Sequence, residues 1–307
     1  MHVFFERLKH IIPAHSYQHV ITTFNDPKQL GIRLNNLKTT SLTTLSTQVA
    51  HSLISTPFTN SYLADPRDRE MLTHSQEFNE GLFYIQNISS MLPAFILELE
   101  TQQHILDLCA APGSKTSQMA ALINNDGYIA AVERNKKRYF KLQDNLKRQG
   151  VNCVKTFLRD GKTVYQHCKD KFDRVLVDAP CSSEAVFNTY NHDSFKHWDP
   201  KNIKKIARDQ WQLLYSGFVS LKPGGILVYS TCTFAPEENE AVINKLLKKF
   251  NHQVELLSFE LPITNIQPGL TEWQSKPFHP DTQRCIRILP TQAYEGFFMA
   301  KIKKLAN

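Results

Sequence analysis

The stretch "HILDLCAAPGSKTSQMAALI", residues 104–123, decides how the fold of this chain is predicted. It begins with a short apolar run, passes through Pro112 and Gly113, and continues with apolar residues at helical spacing. This pattern predicts a buried strand, a tight turn that a ligand can approach closely, and a helix whose first N–H groups are free. The turn lacks both the G-x-G-x-x-G of dinucleotide-binding proteins and the first glycine of a Walker loop, which argues against both classes.

The same alternation of strand and helix continues outward from this stretch. We expect strands at "YIAAVE", "VKTFLR", "FDRVLVDA", "GGILVYST", "RCIRILP" and "GFFMAKI", and amphipathic helices at "KKRYFKLQDNLKRQG" and "NIKKIARDQWQLLYSGFVSL". Continuously apolar strands that alternate with helices predict an α/β fold with a mostly parallel, doubly wound sheet. Residues 1–80 are polar and rich in Thr, Ser and Asn, so we expect a smaller N-terminal unit there, followed by the main domain over residues 81–307.

Composition narrows the classes of protein to consider. The chain has 307 residues, of which 41% are hydrophobic, and a net charge of +7, which suits a polyanionic partner but also an ordinary basic protein. Its six cysteines include no C-x-x-C pair, so we expect no structural zinc and no other metal site. We see neither a signal-peptide pattern nor an apolar run of about 18 residues, so we expect a cytoplasmic protein without membrane spans.

Acidic residues at strand ends suggest a nucleoside pocket. Glu133 ends the second predicted strand about 20 residues after Gly113, where an acid typically accepts hydrogen bonds from ribose hydroxyls. Adenosine without a pyrophosphate cradle points to S-adenosylmethionine. Arg138 in the next helix and Asp160 at the end of the third strand are further candidates, although Glu133 could be a surface residue and Asp160 a simple turn-former.

Two cysteines follow neighbouring strands. Asp178 and Cys181 come after the fourth strand, and Cys232 comes after the next. Either cysteine alone could be structural, but together they suit methylation at carbon 5 of cytosine, which is too weak a nucleophile to react directly. A thiolate that adds at carbon 6 activates carbon 5, after which a base removes the carbon 5 proton and the thiolate leaves. Cys232, Cys181 and Asp178 could fill the roles of nucleophile, base and stabilising carboxylate.

The stretches "DLCAAPGSKT", "DAPCSS" and "YSTCTFAPEENEAVI" resemble the Nop/Sun RNA (cytosine-5) methyltransferases. "IRLNNLK", "GLFYIQNISSMLP", "LKPGG" and "EGFFMAKI" extend the likeness over most of the chain, closest to the bacterial branch that modifies rRNA. The resemblance implies a Rossmann-like class I methyltransferase with a small α+β N-terminal RNA-binding domain. It also implies that Cys232 is the nucleophile and that Cys181 assists product release. Cofactor contacts would come from Cys109, Ala110, Ala111, Pro112, Gly113, Ser114, Lys115, Glu133, Arg138, Asp160 and Asp178.

The chain departs from the family pattern at three positions. Ser114, Ser183 and Ala185 stand where the family usually has glycine. A serine keeps the backbone N–H donor, but it fits only where the backbone does not need a positive φ. These replacements leave the shape of the two loops open, and they are the sequence support for an alternative of another class, a non-catalytic RNA-binding or assembly factor.

Basic and aromatic residues are candidates for RNA contact. The basic residues are Lys136, Lys137, Arg138, Lys141, Lys147, Arg148, Lys201, Lys204, Lys205 and Arg208. Phe195 and Trp198 could stack on unpaired bases or belong to the core. We therefore expect methyl transfer from S-adenosylmethionine to a cytosine in structured RNA, with rRNA first and tRNA as the alternative. A DNA cytosine methyltransferase is a further alternative, in which the cysteine after proline would itself be the nucleophile.

Overall fold

The computed structural model describes residues 2–39, 41–196 and 198–306, and all structural statements refer to these residues. They form ten α-helices and fifteen strands. The helices are α1 (His2–Lys9), α2 (Ala14–Thr22), α3 (Thr47–His51), α4 (Arg69–His74), α5 (Gln76–Glu80), α6 (Ile88–Ile96), α7 (Ser114–Leu122), α8 (Lys136–Arg148), α9 (Pro200–Ser220) and α10 (Glu240–Phe250). The strands are β1 (Leu30–Leu34), β2 (Ile54–Ser55), β3 (Ser61–Ala64), β4 (Phe83–Ile85), β5 (His104–Asp107), β6 (Tyr128–Glu133), β7 (Val154–Leu158), β8 (Phe172–Asp178), β9 (Leu221–Thr231), β10 (Val254–Leu257), β11 (Ile266–Pro268), β12 (Glu272–Trp273), β13 (Lys276–Pro277), β14 (Ile286–Ile288) and β15 (Phe297–Lys304).

A nine-stranded sheet forms the centre of the molecule. Its order is β11-β14-β15-β9-β8-β5-β6-β7, and β10 pairs with β15. Strands β5 to β9 run parallel, whereas β10, β11, β14 and β15 add antiparallel pairs at the other side. The predicted mostly parallel sheet is confirmed. Because β5 is flanked by β6 on one side and β8 on the other, the strand order reverses there, and ligands bind beyond the carboxyl ends of strands at such a point.

Helices cover both faces of this sheet, which explains the continuously apolar strands. In β8, Val175 and Val177 pack in the same cluster as Phe218 of α9. Leu176 lies between them in sequence and packs in the opposite cluster, which includes Leu92 of α6. Successive residues of a strand point to opposite faces, so both neighbours must be apolar when both faces are covered.

A small antiparallel sheet of order β2-β3-β1-β4 precedes the main sheet. This small sheet extends past residue 80 as far as Ile85. Arg33 on β1 connects it to helix α7, because its guanidinium donates to the carbonyl of Ser114 at 3.0 Å and to the hydroxyl of Ser117 at 2.8 Å. Helices α1 and α2 instead pack in a cluster with residues of the main domain that include Phe234. The division into units at residue 80 stays a prediction.

No helix within the described residues combines the length and the apolar character needed to cross a membrane.

Candidate active site

The loop after β5 turns the chain into α7. Gly113 adopts φ +104°, and a Cβ there would lie 3.0 Å from Cδ1 of Leu142. Ser114 is the first residue of α7 and is not among the residues with positive φ. The positive φ therefore falls on the glycine that the chain keeps, and the serine at position 114 fits without strain.

Lys115 is a buried lysine that connects three elements. Its ammonium lies 2.7 Å from Oδ2 of Asp178 and donates to the hydroxyl of Ser90 at 2.6 Å. The other carboxylate oxygen of Asp178 accepts a hydrogen bond from the Ser230 hydroxyl at 2.7 Å. The structure thus brings together Lys115 and Asp178, both predicted site residues, and adds Ser90 and Ser230, which the sequence reasoning missed.

Asp107 is a third residue that the sequence reasoning missed as part of the site. It ends β5 and is buried, and its carboxylate accepts hydrogen bonds from the Thr116 hydroxyl at 2.7 Å and from the Cys109 N–H at 3.3 Å. Burial raises the pKa of Asp107 to about 6, and the charge of Asp178 contributes to this shift. Its hydrogen bonds hold the loop against α7, which suits a structural role beside the cavity.

One cavity of about 240 Å³ lies beyond the ends of β5, β6 and β8. Among its lining residues are Leu108, Cys109, Glu133, Arg138, Asp160, Gly161, Pro180, Cys181, Ile206 and Leu213. Glu133 is buried, and its carboxylate accepts from the N–H of Asn135 at 2.7 Å. Arg138 lies 3.6 Å from that carboxylate and donates to the carbonyl of Ala111, so it links the strand end to the loop. Asp160 lines the cavity and also caps the following turn through the N–H of Lys162 at 3.0 Å.

A second cavity of about 240 Å³ adjoins the first, because Cys109 and Arg138 line both. This second cavity is lined by the loop from Cys109 to Pro112 and by Ser114, Lys115, Asp178 and Cys232. Glu295 and Phe297 close it from the start of β15. Sequence reasoning matched this segment, "EGFFMAKI", to the family without assigning it to the site.

The thiols of Cys181 and Cys232 lie 3.3 Å apart. They meet because β8 and β9 are neighbours with Asp178 opposite Ser230, so the segments after both strands emerge side by side. The hydrogen bond from the Cys181 thiol lowers the pKa of Cys232, and the Ser183 hydroxyl adds to the effect. The same hydrogen bond and burial raise the pKa of Cys181 well above its ordinary value. Within the pair Cys232 is therefore the thiol that ionises more readily, which suits its predicted role as nucleophile, whereas Cys181 would first have to lose its proton to act as the predicted base.

Buried carboxylates fasten the two thiol loops to each other. Glu184 accepts hydrogen bonds from the Thr233 hydroxyl at 2.9 Å and from the Phe234 N–H at 3.0 Å. Glu238 accepts from the N–H of Ser182 at 2.9 Å and also binds its hydroxyl. Each glutamate belongs to one loop and accepts hydrogen bonds from the other, so these contacts help to hold the two sulfurs at their observed distance.

The aromatic candidates for RNA contact are half-buried and pack against a cluster of buried residues. Trp198 donates to Glu184 at 3.0 Å and contacts the ring of Phe4, with ring centroids 5.9 Å apart. Phe195 packs in the same cluster against Phe187. For both residues the structure favours the core alternative over base stacking.

The basic candidates divide into two groups. Arg148 is half-buried over the ring of Phe78 at 4.4 Å, so it packs against the small sheet. The remaining candidates are exposed along α8 and α9, namely Lys136, Lys137, Arg138, Lys141, Lys147, Lys201, Lys204, Lys205 and Arg208. They stay candidates for phosphate contacts.

Comparison with known proteins identifies the family. The family model described as 16S rRNA methyltransferase RsmB/F matches residues 94–303. Relatives from Vibrio campbellii and Escherichia coli, both named ribosomal RNA small subunit methyltransferase F, are each 36% identical over 98% of this chain. The chain spans 63% and 62% of their respective lengths.

Solved structures agree with this assignment. A methyltransferase homolog protein from Pyrococcus horikoshii is 32% identical to this chain, with a TM-score of 0.83 and coverage of 99% of this chain and 95% of that one. The predicted Rossmann-like methyltransferase fold and the predicted Nop/Sun family, closest to its bacterial rRNA-modifying branch, are thereby confirmed. The chain belongs to the family of 16S rRNA methyltransferases RsmB/F.

Proposed function

We propose that this chain is a cytoplasmic enzyme that transfers a methyl group from S-adenosylmethionine to carbon 5 of a cytosine in RNA of the small ribosomal subunit. The observation that carries the proposal is the thiol pair, with Cys181 and Cys232 at 3.3 Å beside a cavity that also holds Lys115 and Asp178. Two thiols of opposite pKa shift at adjacent strand ends suit a nucleophile and a proton-handling partner.

The first cavity has the chemistry that S-adenosylmethionine requires. The carboxylates of Glu133 and Asp160 can accept hydrogen bonds from hydroxyl and amino groups, and Leu108, Pro180 and Ile206 offer apolar surface to a flat ring. A Cβ on Gly161 would lie 2.7 Å from the carbonyl oxygen of Leu108, so only glycine fits there. The bound cofactor would supply the methyl group, and the loop from Cys109 to Lys115 would hold its methionine end.

The second cavity would receive the cytosine. The Cys232 thiolate forms a bond to carbon 6, which makes carbon 5 nucleophilic enough to accept the methyl group. Asp178, held by Lys115 and Ser230, would stabilise the N3 and amino edge of the ring. Removal of the carbon 5 proton then breaks the bond from sulfur to carbon 6, and Cys181 would assist this release. A cytosine in a paired region would have to be flipped out to reach the thiol.

The names of the relatives and the exposed basic residues support an rRNA substrate. The two relatives are named for the small ribosomal subunit, and exposed lysines on α8 and α9 suit phosphate contacts. Transfer RNA stays the alternative substrate and forms a separate arm of the test.

The decisive experiment traps the covalent adduct in cysteine variants. RNA from cells that lack this gene is offered as free small-subunit rRNA, as small subunits and as tRNA, and methyl transfer and gel-stable adduct are measured. We expect Cys232→Ala to abolish both, and Cys181→Ala to accumulate the adduct with little turnover. Cys153→Ala, a half-buried cysteine outside both cavities, is the matched control and should behave as the unmodified protein.

The reverse pattern, with an adduct that needs Cys181, would exclude the assignment and favour the chemistry of DNA cytosine methyltransferases. Calorimetry with S-adenosylmethionine separates the remaining alternative. A chain that does not bind the cofactor at millimolar concentration would be a non-catalytic RNA-binding or assembly factor.

A further inference from the structure

Ser183 holds an unfavourable backbone conformation within the Cys181 loop. Its φ and ψ are 56° and 35°, in the left-handed region that favours glycine. A residue with a Cβ is disfavoured there because the Cβ comes too close to the following carbonyl oxygen. The surrounding contacts hold the serine in this conformation, and its hydroxyl points into the site.

The Ser183 hydroxyl faces both thiols. Its oxygen accepts a hydrogen bond from the Cys232 thiol at 3.7 Å and lies 3.9 Å from the sulfur of Cys181, also within the range of a hydrogen bond to sulfur. It also donates a long hydrogen bond to the carbonyl oxygen of Cys181 at 3.4 Å and makes no capping bond to the turn that follows. Once the Cys232 thiol loses its proton, the hydroxyl can rotate away from this long bond to the carbonyl and donate to the charged sulfur.

The loop cannot easily carry this hydroxyl away from the thiols. The N–H of Ala185 donates to the carbonyl of Cys232 at 3.1 Å, and the N–H of Val186 donates to the carbonyl of Ser183 at 3.2 Å. Glu184 joins the loop to the segment after Cys232 through Thr233 and Phe234. Together with the bond from the N–H of Ser182 to Glu238 on the other side, these contacts fix the position of Ser183 beside the sulfurs.

We propose that Ser183 is a positioning residue whose hydroxyl donates a hydrogen bond to the Cys232 thiolate, holding the sulfur ionised and in place. The proton that leaves the Cys232 thiol goes to solvent, and the hydroxyl replaces part of the hydration that a half-buried thiolate loses. The inference rests on the proposed function, because that function gives the thiolate its role as a nucleophile. The hydrogen bond itself requires neither RNA nor cofactor.

Other groups near Cys232 act on its ionisation as well. They are the carboxylates of Asp107, Asp178 and Glu295, the cations of Lys115 and Arg138, and the thiols of Cys109 and Cys181. The pKa of Cys232 is lowered first by the Cys181 thiol and also by Ser183, against burial and the charges of Asp178 and Glu295. Variants of Ser183 leave all of these groups unchanged, so they isolate the hydroxyl.

The test measures the rate at which iodoacetamide alkylates Cys232 as pH rises, by mass spectrometry of the peptide that contains it. Ser183→Ala keeps the Cβ and removes the hydroxyl. Ser183→Gly removes both the hydroxyl and the Cβ, and so also relieves the unfavourable backbone conformation. In both variants we expect the midpoint of the alkylation rate against pH to rise by about one pH unit. Alkylation near neutral pH should then slow about tenfold. The Cys168 peptide, from outside both cavities, serves as the internal reference.

An unchanged profile in both variants would overturn the proposal. A change in only one variant would also overturn it, because the cause would then be the Cβ or the backbone. Thermal unfolding of both variants checks that they fold, and Ser183→Gly is compatible with the observed φ. The two proposals can fail separately, because alkylation needs no substrate: if Cys232→Ala still methylates RNA, the proposed function fails while the alkylation shift can persist.

Discussion

Replacement of Glu238 by glutamine should remove part of the pH dependence of stability. Glu238 is fully buried, and its carboxylate accepts from the N–H of Ser182 at 2.9 Å and from the amide of Gln210 at 2.8 Å. Burial raises the pKa of Glu238 from 4.5 to about 7 despite these hydrogen bonds. Glutamine has the same shape, and its amide can donate to the Ser182 hydroxyl, which in turn bonds Thr233 at 2.7 Å.

The sign follows from the direction of the shift. Because the folded-state pKa lies above the unfolded value, the folded protein binds the extra proton between about pH 4.5 and 7. The contribution of Glu238 to the free energy of unfolding is therefore fully present below this window and is lost as pH rises through it. A shift of about 2.5 units corresponds to about 3 kcal/mol. The pKa of Asp107 is raised to about 6, so Asp107 also makes stability fall as pH rises. This contribution is present in both the unmodified protein and the Glu238→Gln variant.

Urea unfolding at several pH values measures the effect as a difference between variant and unmodified protein, in which the contribution of Asp107 cancels. We expect the stability of Glu238→Gln relative to the unmodified protein to rise by about 3 kcal/mol between about pH 4.5 and 7.5. Glu272→Gln, at an exposed position on β12, is the matched control and should show no such rise. Two stability curves that run parallel over this window would refute the reasoning.

Two further predictions concern the neighbourhood of the thiols. Arg287 and Glu240 form a buried pair with a shortest distance of 2.5 Å, so Glu240→Leu and Arg287→Met should each destabilise by about 3–5 kcal/mol in urea unfolding. The double variant should lose less stability than the sum of the two single losses, and simple additivity of the losses would contradict coupling between the two residues. Diamide, which takes up the two thiol hydrogens, should join Cys181 and Cys232 in a disulfide because their sulfurs lie 3.3 Å apart. Mass spectrometry of unreduced peptides would detect the link, and two free thiols after treatment would count against the geometry.

The parallel part of the fold could be predicted because burial on two faces leaves a simple pattern. Strands such as β8 are apolar at successive positions, including Val175, Leu176 and Val177, and each lies next to a recognisable helix or turn. The antiparallel part gave a weaker signal. Residues 254–257 and 266–268 are short, and their pairing depends on contacts with β15 and β14, which lie later in the chain.

The site was predictable where it lies at the ends of predicted strands. Asp178 ends β8, and Cys181 and Cys232 follow β8 and β9; the adjacency of these strands brings them together. Ser90 and Glu295 come from α6 and from the segment before β15, so their approach depends on packing that no local pattern reveals. The conformation of Ser183 was also beyond sequence reasoning, because serine normally avoids positive φ and only the surrounding contacts impose it.

The positions of the two thiols do not depend on the contact between them. Glu184 and Glu238 each take hydrogen bonds from the opposite loop, and Arg287 holds the carbonyl of Phe234 at 2.9 Å. A variant that removes one sulfur therefore leaves the loop in place, because the contacts that fasten it involve no thiol. An alanine at position 181 or 232 should then change the chemistry of the site and not its shape. Opposite outcomes in the adduct experiment can for this reason be assigned to the roles of the sulfurs themselves.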